Sequence, residues 1–433
     1  MELENKIIDR NFSVGIIGLG YVGLPLAILF QDSGFHVVGI DIDEEKIDSL
    51  KADRSYIAHI GDEIIAKLNT DGFIATTDFS HVQDLDAVIV CVPTPLNINR
   101  EPDLSYINST FDSVENYLQK NQIISIESTT YPGMTDELIA KKIENLGFEI
   151  GKNIFLVYSP EREDPGNEDY NTKTIPKVVG GISSACLKYG TILYSQAIDE
   201  VVQVSSTKVA EMTKLLENIQ RSVNIGLMNE MKIIASEMDI DIHEVIRAAS
   251  TKPFGFIPYH PGPGIGGHCI PIDPFYLSWK VKEYGLTTRF IDVAGEMNQY
   301  MPNWVVSIVS DALNERGKPI RNARILILGI AYKKNVDDMR ESPATMIMQI
   351  LKDKGALIEF SDPYFNEFPQ IRNYDFNLKN VDLTPESISD FDAVVLITDH
   401  DDFDYEMIIQ NSKLVIDTRG TYQEEWQNLI LAR

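Results

Sequence analysis

The chain has 433 residues, which is too long for one ordinary hydrophobic core and predicts two or three domains. With 65 acidic and 38 basic residues its formal net charge is -27, which argues against nucleic acid and anionic membranes as partners, so that an anionic substrate would need a local basic cluster. Cys91, Cys186 and Cys269 are too few and too scattered for a disulfide framework, which favours a reducing, cytoplasmic location.

The first segment without charge, residues 12–30, follows Lys6 and Arg10 and superficially resembles a signal peptide or a membrane anchor. We reject that interpretation because four glycines and Pro25 interrupt the segment and no small-residue cleavage site follows it. The pattern instead predicts a strand, a glycine turn and the start of a buried helix. No other stretch approaches transmembrane length.

Short β-branched runs alternate with helical stretches from Val14 to about Val204, which predicts a parallel sheet with crossover helices in an N-terminal domain of residues 1–205. The runs read VGIIGLG, HVVGIDID, AVIVCVPTP, IISIESTT, IFLVYSPE and KVVGG.

The first of these strands leads into the motif Gly18-Leu19-Gly20-Tyr21-Val22-Gly23. A GxGxxG between a strand and a helix is typical of dinucleotide binding. Gly18 makes the tight turn, Gly20 lets a pyrophosphate approach the helix N-terminus, and Gly23 permits close helix packing. A glycine turn without a ligand is the alternative.

Two further residues fit a dinucleotide site. Asp41 ends the second strand, where a carboxylate can accept both ribose hydroxyls, and this favours NAD over NADP because a 2′-phosphate would be repelled. Thr94, in the Val-Pro-Thr-Pro after a later strand, could touch the nicotinamide-side ribose or simply belong to a turn.

A long helix is predicted to begin near Ser206, because residues 206–252 contain no proline and their apolar residues recur at helical spacing. It could join two domains and offer a dimer surface, although Gly226 could bend it. Lys214 and Asn218 lie four apart and share one face. Taken alone, the helix pattern favours a solvated polar stripe, which Glu211 and Ser222 would continue.

The loop PGPGIGGHCIPIDP, residues 261–274, crowds four glycines around Cys269, with Asp273 four positions later. Glycines allow close backbone approach to a ligand, and prolines stiffen the loop, which would suit a reactive thiol. A tight structural turn with an inert cysteine is the alternative.

Helical patterns then follow around Trp279 and from Asn303 to Glu315, which completes a central segment of residues 206–317. The alternation restarts with four further runs, which predict buried parallel strands and a second α/β domain of residues 318–433. These runs are RILILGIAY, ALIEFSD, AVVLITD and KLVIDTRG.

Motifs along the whole chain together resemble the nucleotide-sugar 6-dehydrogenase family. They are GLGYVG, CVPTP, EST from Glu127, SPE from Ser159, Lys214 with Asn218, GGHCIPIDP, and YKKNVDDMRESP from Tyr332. The resemblance implies an α/β fold of two Rossmann-like, doubly wound parallel-sheet domains joined by a long central helix. It also implies NAD as cofactor, a UDP-sugar substrate, a homodimer or higher oligomer, and a role in polysaccharide biosynthesis.

The resemblance further implies a four-electron oxidation in which the Cys269 thiolate adds to a sugar aldehyde between two hydride transfers. His268 and Lys214 are candidates to lower the thiol pKa. Lys214 and Asn218 would stabilise the oxyanion, and Asp273 and Glu161 match the base and water-activating positions. Thr129 would help to hold the water and would also lie at the cofactor.

Further residues are assigned to ligands by the same resemblance. Arg340 matches a position that reaches the NAD pyrophosphate, and Lys333 matches one that reaches UDP. Arg419, after the last predicted strand, is a second candidate for the nucleotide. Glu161, Lys214, Asn218, Tyr259 and Gly266 would face the substrate. The chain has Pro165 where related sequences commonly have a second glutamate, so Arg162 could face the substrate instead.

Several alternatives stay open from the sequence. SPEREDPG, KPFGFIPYHPGPG and HCIPIDPFYLSWK look most like the branch that oxidises UDP-N-acetylhexosamines, above all UDP-N-acetylglucosamine, but the N-acetylmannosamine, N-acetylgalactosamine and glucose analogues differ by one substituent or stereocentre. A two-electron hydroxyacid-type dehydrogenase and a catalytically silent NAD-binding protein are the other classes. No metal is expected, since neither the His268 region nor the aspartates of residues 399–404 have ligand spacing.

Overall fold

The computed structural model describes residues 2–57, 60–97, 99–163, 170–267, 270–371, 374 and 376–432. They form two compact units. Unit 1 comprises Met1–Glu217 with Phe275–Thr287, and unit 2 comprises Asn218–Pro274 with Thr288–Arg433. The three-part division predicted from the sequence stays a prediction.

Unit 1 is built on an eight-stranded sheet with the order β3-β2-β1-β4-β5-β6-β7-β8. Short, mainly β-branched runs buried on both faces form its central strands, as expected for a sheet covered on both sides. The strands are β1 (Ser13–Ile17), β2 (His36–Ile40), β3 (Ile74–Thr76), β4 (Ala87–Val90), β5 (Ile123–Ile126), β6 (Phe155–Tyr158), β7 (Lys177–Gly181) and β8 (Val201–Val204).

The last two strands of this sheet run opposite to the other six and so depart from the predicted parallel arrangement. Strand β7, the KVVGG run, pairs antiparallel with β6 through Val157 with Gly181 and Tyr158 with Gly180. A parallel neighbour would need a crossover element, and the described residues between the two strands, 159–163 and 170–176, contain no helix. Strand β8 then pairs parallel with β7.

Seven α-helices accompany the sheet within the described part of residues 1–205. They are α1 (Glu2–Ile8), α2 (Gly23–Asp32), α3 (Glu44–Lys51), α4 (Asp62–Thr70), α5 (Ser105–Val114), α6 (Lys141–Asn145) and α7 (Ser184–Tyr194). A 3-10 turn (Phe79–Asp84) precedes β4, and a π-helical turn (Thr135–Ala140) leads into α6.

The predicted long helix is α8 (Thr207–Glu237), which begins in unit 1 and ends in unit 2. The remaining helices are α9 (Ile242–Ser250), α10 (Asp273–Lys280), α11 (Arg289–Glu315), α12 (Pro343–Asp353), α13 (Pro385–Ser389) and α14 (Tyr405–Asn411), with a 3-10 turn (Val281–Tyr284) after α10.

One expectation about these helices was wrong, and Gly226 has a role in packing that was not predicted. Helix α11 does not begin after Pro302 but continues through it from Arg289, with Pro302 buried inside the helix. Gly226 serves packing: a Cβ there would lie 3.0 Å from the Cβ of Ala294, so glycine lets α8 and α11 approach closely.

Unit 2 contains a five-stranded, entirely parallel sheet with the order β10-β9-β11-β12-β13. The first strand of this sheet along the chain, β9 (Arg324–Leu328), alternates between two cores, with Ile325 and Ile327 in one and Leu326 and Leu328 in the other. Both faces are therefore covered, which confirms the predicted doubly wound arrangement. The strands are β9 (Arg324–Leu328), β10 (Leu357–Ser361), β11 (Ala393–Leu396), β12 (Val415–Asp417) and β13 (Leu429–Leu431), the last of which was not predicted.

Within the described residues, no helix combines the length and the apolar character that crossing a bilayer requires.

Candidate active site

The glycine turn after β1 has the geometry that each glycine of the motif was predicted to supply. Gly18 has a φ of 92°, and a Cβ there would lie 2.7 Å from the carbonyl oxygen of Cys91. A Cβ on Gly23 would lie 1.8 Å from the Gly18 carbonyl oxygen, so only glycine allows α2 to start this close to the strand. A Cβ on Gly20 would meet nothing within 4 Å, which leaves open space at the N-terminus of α2 for a phosphate.

Asp41 is bonded directly to this turn. Its Oδ2 accepts a 2.8 Å hydrogen bond from the Leu19 amide, and its Oδ1 accepts one from the Asp43 amide. The Nζ of Lys46 also lies 3.2 Å from Oδ2, a contact that the sequence did not reveal. The carboxylate thus lies at the end of β2, beside the glycine turn, where a ribose hydroxyl would be bound. Tyr21 and Val22 complete the turn, both half-buried.

A buried ionic cluster surrounds Glu161 in unit 1. The Nζ of Lys177, at the start of β7, lies 2.9 Å from Glu161 Oε2 and 2.6 Å from Glu127 Oε2. The other Glu161 oxygen accepts hydrogen bonds of 2.7 Å from the amides of Arg162 and Glu163. The hydroxyl of Tyr194 donates to the second oxygen of Glu127.

These contacts decide which group of the cluster carries charge. Burial alone would raise the pKa of Glu161, but the Lys177 ammonium and the hydrogen bonds to the carboxylate outweigh it, and the pKa is lowered. Burial acts against the charge of Lys177 as well, yet the two carboxylates raise its pKa. Glu127, buried and facing Glu161 across one shared cation, has a raised pKa. Glu161 is therefore a fixed anion.

The polar residues of α8 form a buried stripe, so the expectation of a solvated stripe was wrong. Every member is less than a tenth exposed, and the exposed residues of the helix include large apolar side chains as well as charged and polar ones. The stripe consists of Glu211, Lys214, Asn218, Ser222, Asn229 and Lys232. The exposed side includes Val209, Met212, Leu216, Leu227, Met231 and Ile234. The helix thus buries polar side chains while several large apolar side chains stay exposed, unlike an ordinary amphipathic surface helix.

The predicted members of the stripe contact candidate site residues. The Nζ of Lys214 donates to the main-chain carbonyl of Glu161, so the lysine lies beside that anion in unit 1. The amide of Asn218 donates a 2.5 Å hydrogen bond to Oδ2 of Asp273 in unit 2. Asp273 is 1% exposed and is the first residue of α10. Lysine with glutamate and asparagine with aspartate are therefore paired as two local groups.

The glycine loop between α9 and α10 is described up to Gly267. A Cβ on Gly266 would lie 2.7 Å from the Cβ of Tyr332, and the Gly267 amide donates to the Arg340 carbonyl at 2.9 Å. The loop therefore packs against the segment that follows β9. His268 and Cys269 lie outside the described residues, so the assigned role of Cys269 stays a prediction; the same holds for Pro165.

The basic residues assigned to ligands lie in unit 2. Arg340 is largely exposed and pairs with Asp338 at 2.6 Å, while Lys333 is half-buried in the same segment. Arg419 follows β12, and its Nε donates to the carbonyl of Ile397 at 2.6 Å. Their roles toward NAD and UDP stay predictions.

The other assigned residues are spread over both units. In unit 1, the carbonyl of Thr94 accepts a 2.7 Å hydrogen bond from Tyr276, and Thr129 is half-buried after β5. Arg162 forms an ion pair with Glu217 at 2.7 Å, so its guanidinium already has a protein partner. In unit 2, the hydroxyl of Tyr259 donates to Gln220.

Two buried lysines, Lys177 and Lys232, were missed by the sequence reasoning although each left a signal. Lys177 opens a strand buried at every position, where a lysine needs a partner. Lys232 follows Lys214 by 18 residues, which is five turns of an α-helix, and so lies on the same face. Among the described residues, no group of three metal-ligating side chains comes together.

Comparison with known proteins agrees with this architecture along the chain. The NAD binding domain of the UDP-glucose/GDP-mannose dehydrogenase family matches residues 12–198. The central domain of that family matches residues 208–300, and its UDP binding domain matches residues 326–424.

Relatives match over nearly the full length. Protein CapL of Staphylococcus aureus is 32% identical, covering 97% of this chain and 98% of its own. UDP-N-acetyl-D-glucosamine 6-dehydrogenase of Pseudomonas aeruginosa is 33% identical over 91% of this chain and 92% of its own. The structure of UDP-D-ManNAc dehydrogenase from Pyrococcus horikoshii has a TM-score of 0.86 and 31% identity, covering 96% of this chain and 98% of its own. These matches confirm the resemblance: the chain belongs to the UDP-glucose/GDP-mannose dehydrogenase family, with an NAD-binding domain and a UDP-binding domain.

Proposed function

We propose that this protein oxidises a UDP-N-acetylhexosamine at C6 to the uronic acid, with UDP-N-acetylglucosamine as the first candidate substrate. Bound NAD would accept the hydrides in both steps. For each sugar, the hydroxymethyl group and one water give a carboxylate, two NADH and three protons. The observation that carries the proposal is the fixed Glu161 anion, with Lys214 bonded to its main chain, in a chain that has domains for both NAD and UDP.

Cys269 is assigned the covalent step. After the first hydride leaves, its thiolate adds to the aldehyde carbon, and the resulting thiohemiacetal loses the second hydride to become a thioester. Water then attacks the thioester carbon and the thiolate leaves. This step accounts for a cysteine in a glycine-rich loop, because a loop with few side chains lets a substrate approach the backbone closely.

Glu161 fits the hydrolytic step because it is ionised and immobile. Two amides and the Lys177 ammonium fix its carboxylate, so it can accept a hydrogen bond from the attacking water and orient it. Its low pKa makes it a weak base, which suits positioning of water better than complete proton removal.

Asn218 and Asp273 form the second proposed group. The Asn218 amide donates to the buried Asp273 carboxylate, which fixes which end of the amide carries the donors. The remaining amide proton can stabilise an oxyanion on the substrate, while the carboxylate can take up the proton of the sugar hydroxyl. Lys214, beside Glu161, would supply positive charge to an oxyanion on the substrate.

The second candidate substrate is UDP-N-acetylmannosamine. Relatives with both substrate names match this chain at 32–33% identity, so identity does not separate them. The two sugars differ only in the configuration at C2. The N-acetylgalactosamine and glucose analogues are weaker candidates.

The experiment that tests the proposal is turnover of the four UDP-sugars with NAD, with NADH and uronate counted together. We expect the highest kcat/KM with UDP-N-acetylglucosamine and two NADH per uronate. One NADH per substrate with an aldehyde product would instead indicate a two-electron dehydrogenase. No turnover of any UDP-sugar would leave a silent NAD-binding protein.

Cys269→Ala tests the covalent step, with Cys91→Ala as the matched control, since Cys91 is a free cysteine in unit 1. We expect Cys269→Ala to abolish uronate formation and to leave the NAD dissociation constant within about twofold, because the thiol is assigned to the sugar and not to the cofactor. Uronate formation at the wild-type rate would remove Cys269 from the mechanism.

The exposed apolar side of α8 supports assembly as a homodimer. Leu216 is 60% exposed and Leu227 48% exposed, and large exposed apolar side chains on one helix are typical of an interface. We expect light scattering to give about twice the mass of one chain, and Leu216→Lys to shift it toward the monomer. A cytoplasmic location stays a prediction.

A further inference from the structure

Lys232, on the buried stripe of α8, has no part in the chemistry proposed above. Its side chain is fully buried, and its Nζ donates a 2.7 Å hydrogen bond to the main-chain carbonyl of Thr418. The same Nζ lies 5.6 Å from the ring centroid of Trp304. The residue that this bond holds directly precedes Arg419, the arginine assigned to UDP.

A lysine at this position requires a reason, because an aliphatic side chain of similar volume would pack there without a desolvation cost. The charged and titratable groups that face it are Asp417, Arg419 and His243. Burial lowers the pKa of Lys232 to about 7, an effect that Asp417 opposes and Arg419 strengthens. Protonated or neutral, the amine can donate to the Thr418 carbonyl, so the hydrogen bond does not depend on the charge.

Asn229 lies three residues before Lys232 on the same face of α8 and is also fully buried. Its Oδ1 accepts a 2.9 Å hydrogen bond from the amide of Gly262, in the glycine loop. Its Nδ2 donates to Oδ1 of Asn298 at 2.9 Å, and Asn298 in turn donates to the carbonyl of Ser222. The asparagine is thus fixed at both ends of its amide.

The two segments that these residues hold meet at Arg419. Its Nη1 lies 2.9 Å from the place where a Cβ on Gly262 would stand. Its main-chain amide donates to the buried carboxylate of Asp417, and its Nε donates to the carbonyl of Ile397. About a fifth of its side chain stays exposed, 22%, so an anionic ligand can reach it.

We propose that Lys232 and Asn229 are positioning residues for nucleotide binding: one turn of α8 holds the Thr418 carbonyl and the Gly262 amide so that the Arg419 guanidinium is aimed at a UDP phosphate. This rests on the proposed function, the oxidation of a UDP-sugar, and on the prediction that Arg419 binds the nucleotide. An arginine aimed in advance loses less freedom when it binds a phosphate, which is how a buried residue out of reach of the ligand contributes affinity.

The test is the dissociation constant of UDP, measured by calorimetry on the full chain so that turnover is not needed. We expect Arg419→Ala to weaken UDP binding about thirtyfold and Lys232→Met about tenfold, with NAD binding within about twofold of wild type in both. The double variant should bind UDP no more weakly than Arg419→Ala alone, because Lys232 acts through that arginine.

Two further variants serve as an independent test, should Lys232→Met misfold, and as a control for the general effect of replacing a lysine. Gly262→Ala leaves Lys232 untouched but places a methyl group against Arg419 Nη1, the far end of a flexible side chain, and should weaken UDP binding about fivefold. Lys354→Met replaces an exposed lysine at the end of α12 and should leave UDP binding unchanged. If Lys232→Met does not fold, the UDP affinity of Gly262→Ala tests whether the position of Arg419 controls UDP binding, and an unchanged affinity would overturn the proposal.

The outcomes separate the two ideas. UDP binding that is unchanged in Arg419→Ala would refute the assignment of Arg419, and the positioning role with it. A loss in Arg419→Ala without a loss in Lys232→Met, or losses that multiply in the double variant, would overturn only the positioning role. Equal weakening of UDP and NAD binding in Lys232→Met would mean that the lysine serves stability alone.

Discussion

Unit 1 and unit 2 each bury a lysine, and the two lysines are stabilised in opposite ways. Lys177 lies between two carboxylates, which raise its pKa although burial opposes the charge. Lys232 faces a carbonyl and an aromatic ring. The nearby Asp417 carboxylate accepts a hydrogen bond from the Arg419 amide instead, and burial lowers the pKa of Lys232 to about 7.

The difference shows that the groups in contact with a buried lysine determine whether it keeps its proton and which interaction it makes. Lys177 keeps a proton because removing it would leave two carboxylates without a counter-charge, so it serves as a fixed cation that keeps Glu161 ionised. Lys232 has no carboxylate in direct contact among the described residues, so its role is that of a hydrogen-bond donor. Three substitutions can test this contrast.

The largest effect is expected from Lys177→Met. It would leave Glu127 and Glu161 buried and close together without their cation, and should cost about 3–5 kcal/mol of the stability of unit 1. Uronate formation should fall as well, because Glu161 would take up a proton. Lys142→Met is the control: it removes an ion pair with Asp112, which is largely exposed, and should cost less than about 1 kcal/mol.

Trp279 provides the measurement, since it lies in unit 1 whereas Trp304 and Trp426 lie in unit 2. With the latter two replaced by phenylalanine, urea unfolding followed by tryptophan fluorescence reports on unit 1 alone. A cost for Lys177→Met no larger than that for Lys142→Met would mean that the ionic cluster contributes little to stability.

An intermediate effect is expected from pH at Lys232. Its pKa is about 7 in the folded chain and about 10.4 in an unfolded one. Between these values the unfolded chain binds more protons, so stability should rise with pH there, by up to about 1 kcal/mol per pH unit. Below about pH 7 both states are protonated and this dependence vanishes.

The measurement is the free energy of unfolding of unit 2 from pH 6 to 9.5, in the wild type and in Lys232→Met. As pH rises above about 7, the free energy of unfolding of the wild type should increase relative to that of Lys232→Met. A constant difference over this range would show that Lys232 keeps its proton as Lys177 does, and the contrast between the two lysines would disappear.

The smallest effect is expected from Tyr194→Phe in unit 1. The hydroxyl donates to Glu127 and lies 2.7 Å from the Ser125 hydroxyl. Its loss removes one charge-assisted hydrogen bond but leaves Lys177 in place, so the cost should be about 2 kcal/mol by the same fluorescence assay. A loss of unfolding free energy equal to that of Lys177→Met would mean that the tyrosine hydroxyl stabilises the cluster as much as the lysine does.

The sequence was most informative where function depends on neighbouring residues. The roles of Gly18 and Gly23 follow from a motif of six residues, and the turn has the close contacts that the motif requires. The parallel strands of both sheets were visible as short β-branched runs. The direction of β7 was not, because strand direction depends on the connection and not on the strand itself.

Most of the environment of the candidate site could not be predicted, because its contacts join distant residues. Lys177 meets Glu127 across 50 positions, and Lys232 meets Thr418 across 186. Sequence spacing placed Lys214 and Asn218 on one face of α8 but left open whether water or protein covers that face.

The sequence by itself determined the family, the glycine turn, the cofactor and the two α/β domains, because these depend on local patterns of glycine, charge and β-branched residues. Only the tertiary structure decided that the polar face of α8 is buried, that Glu161 is a fixed anion, and that Lys232 and Asn229 hold the surroundings of Arg419. The reason is physical: whether a polar side chain is solvated or buried, and whether it keeps its proton, depends on partners that only folding brings into contact.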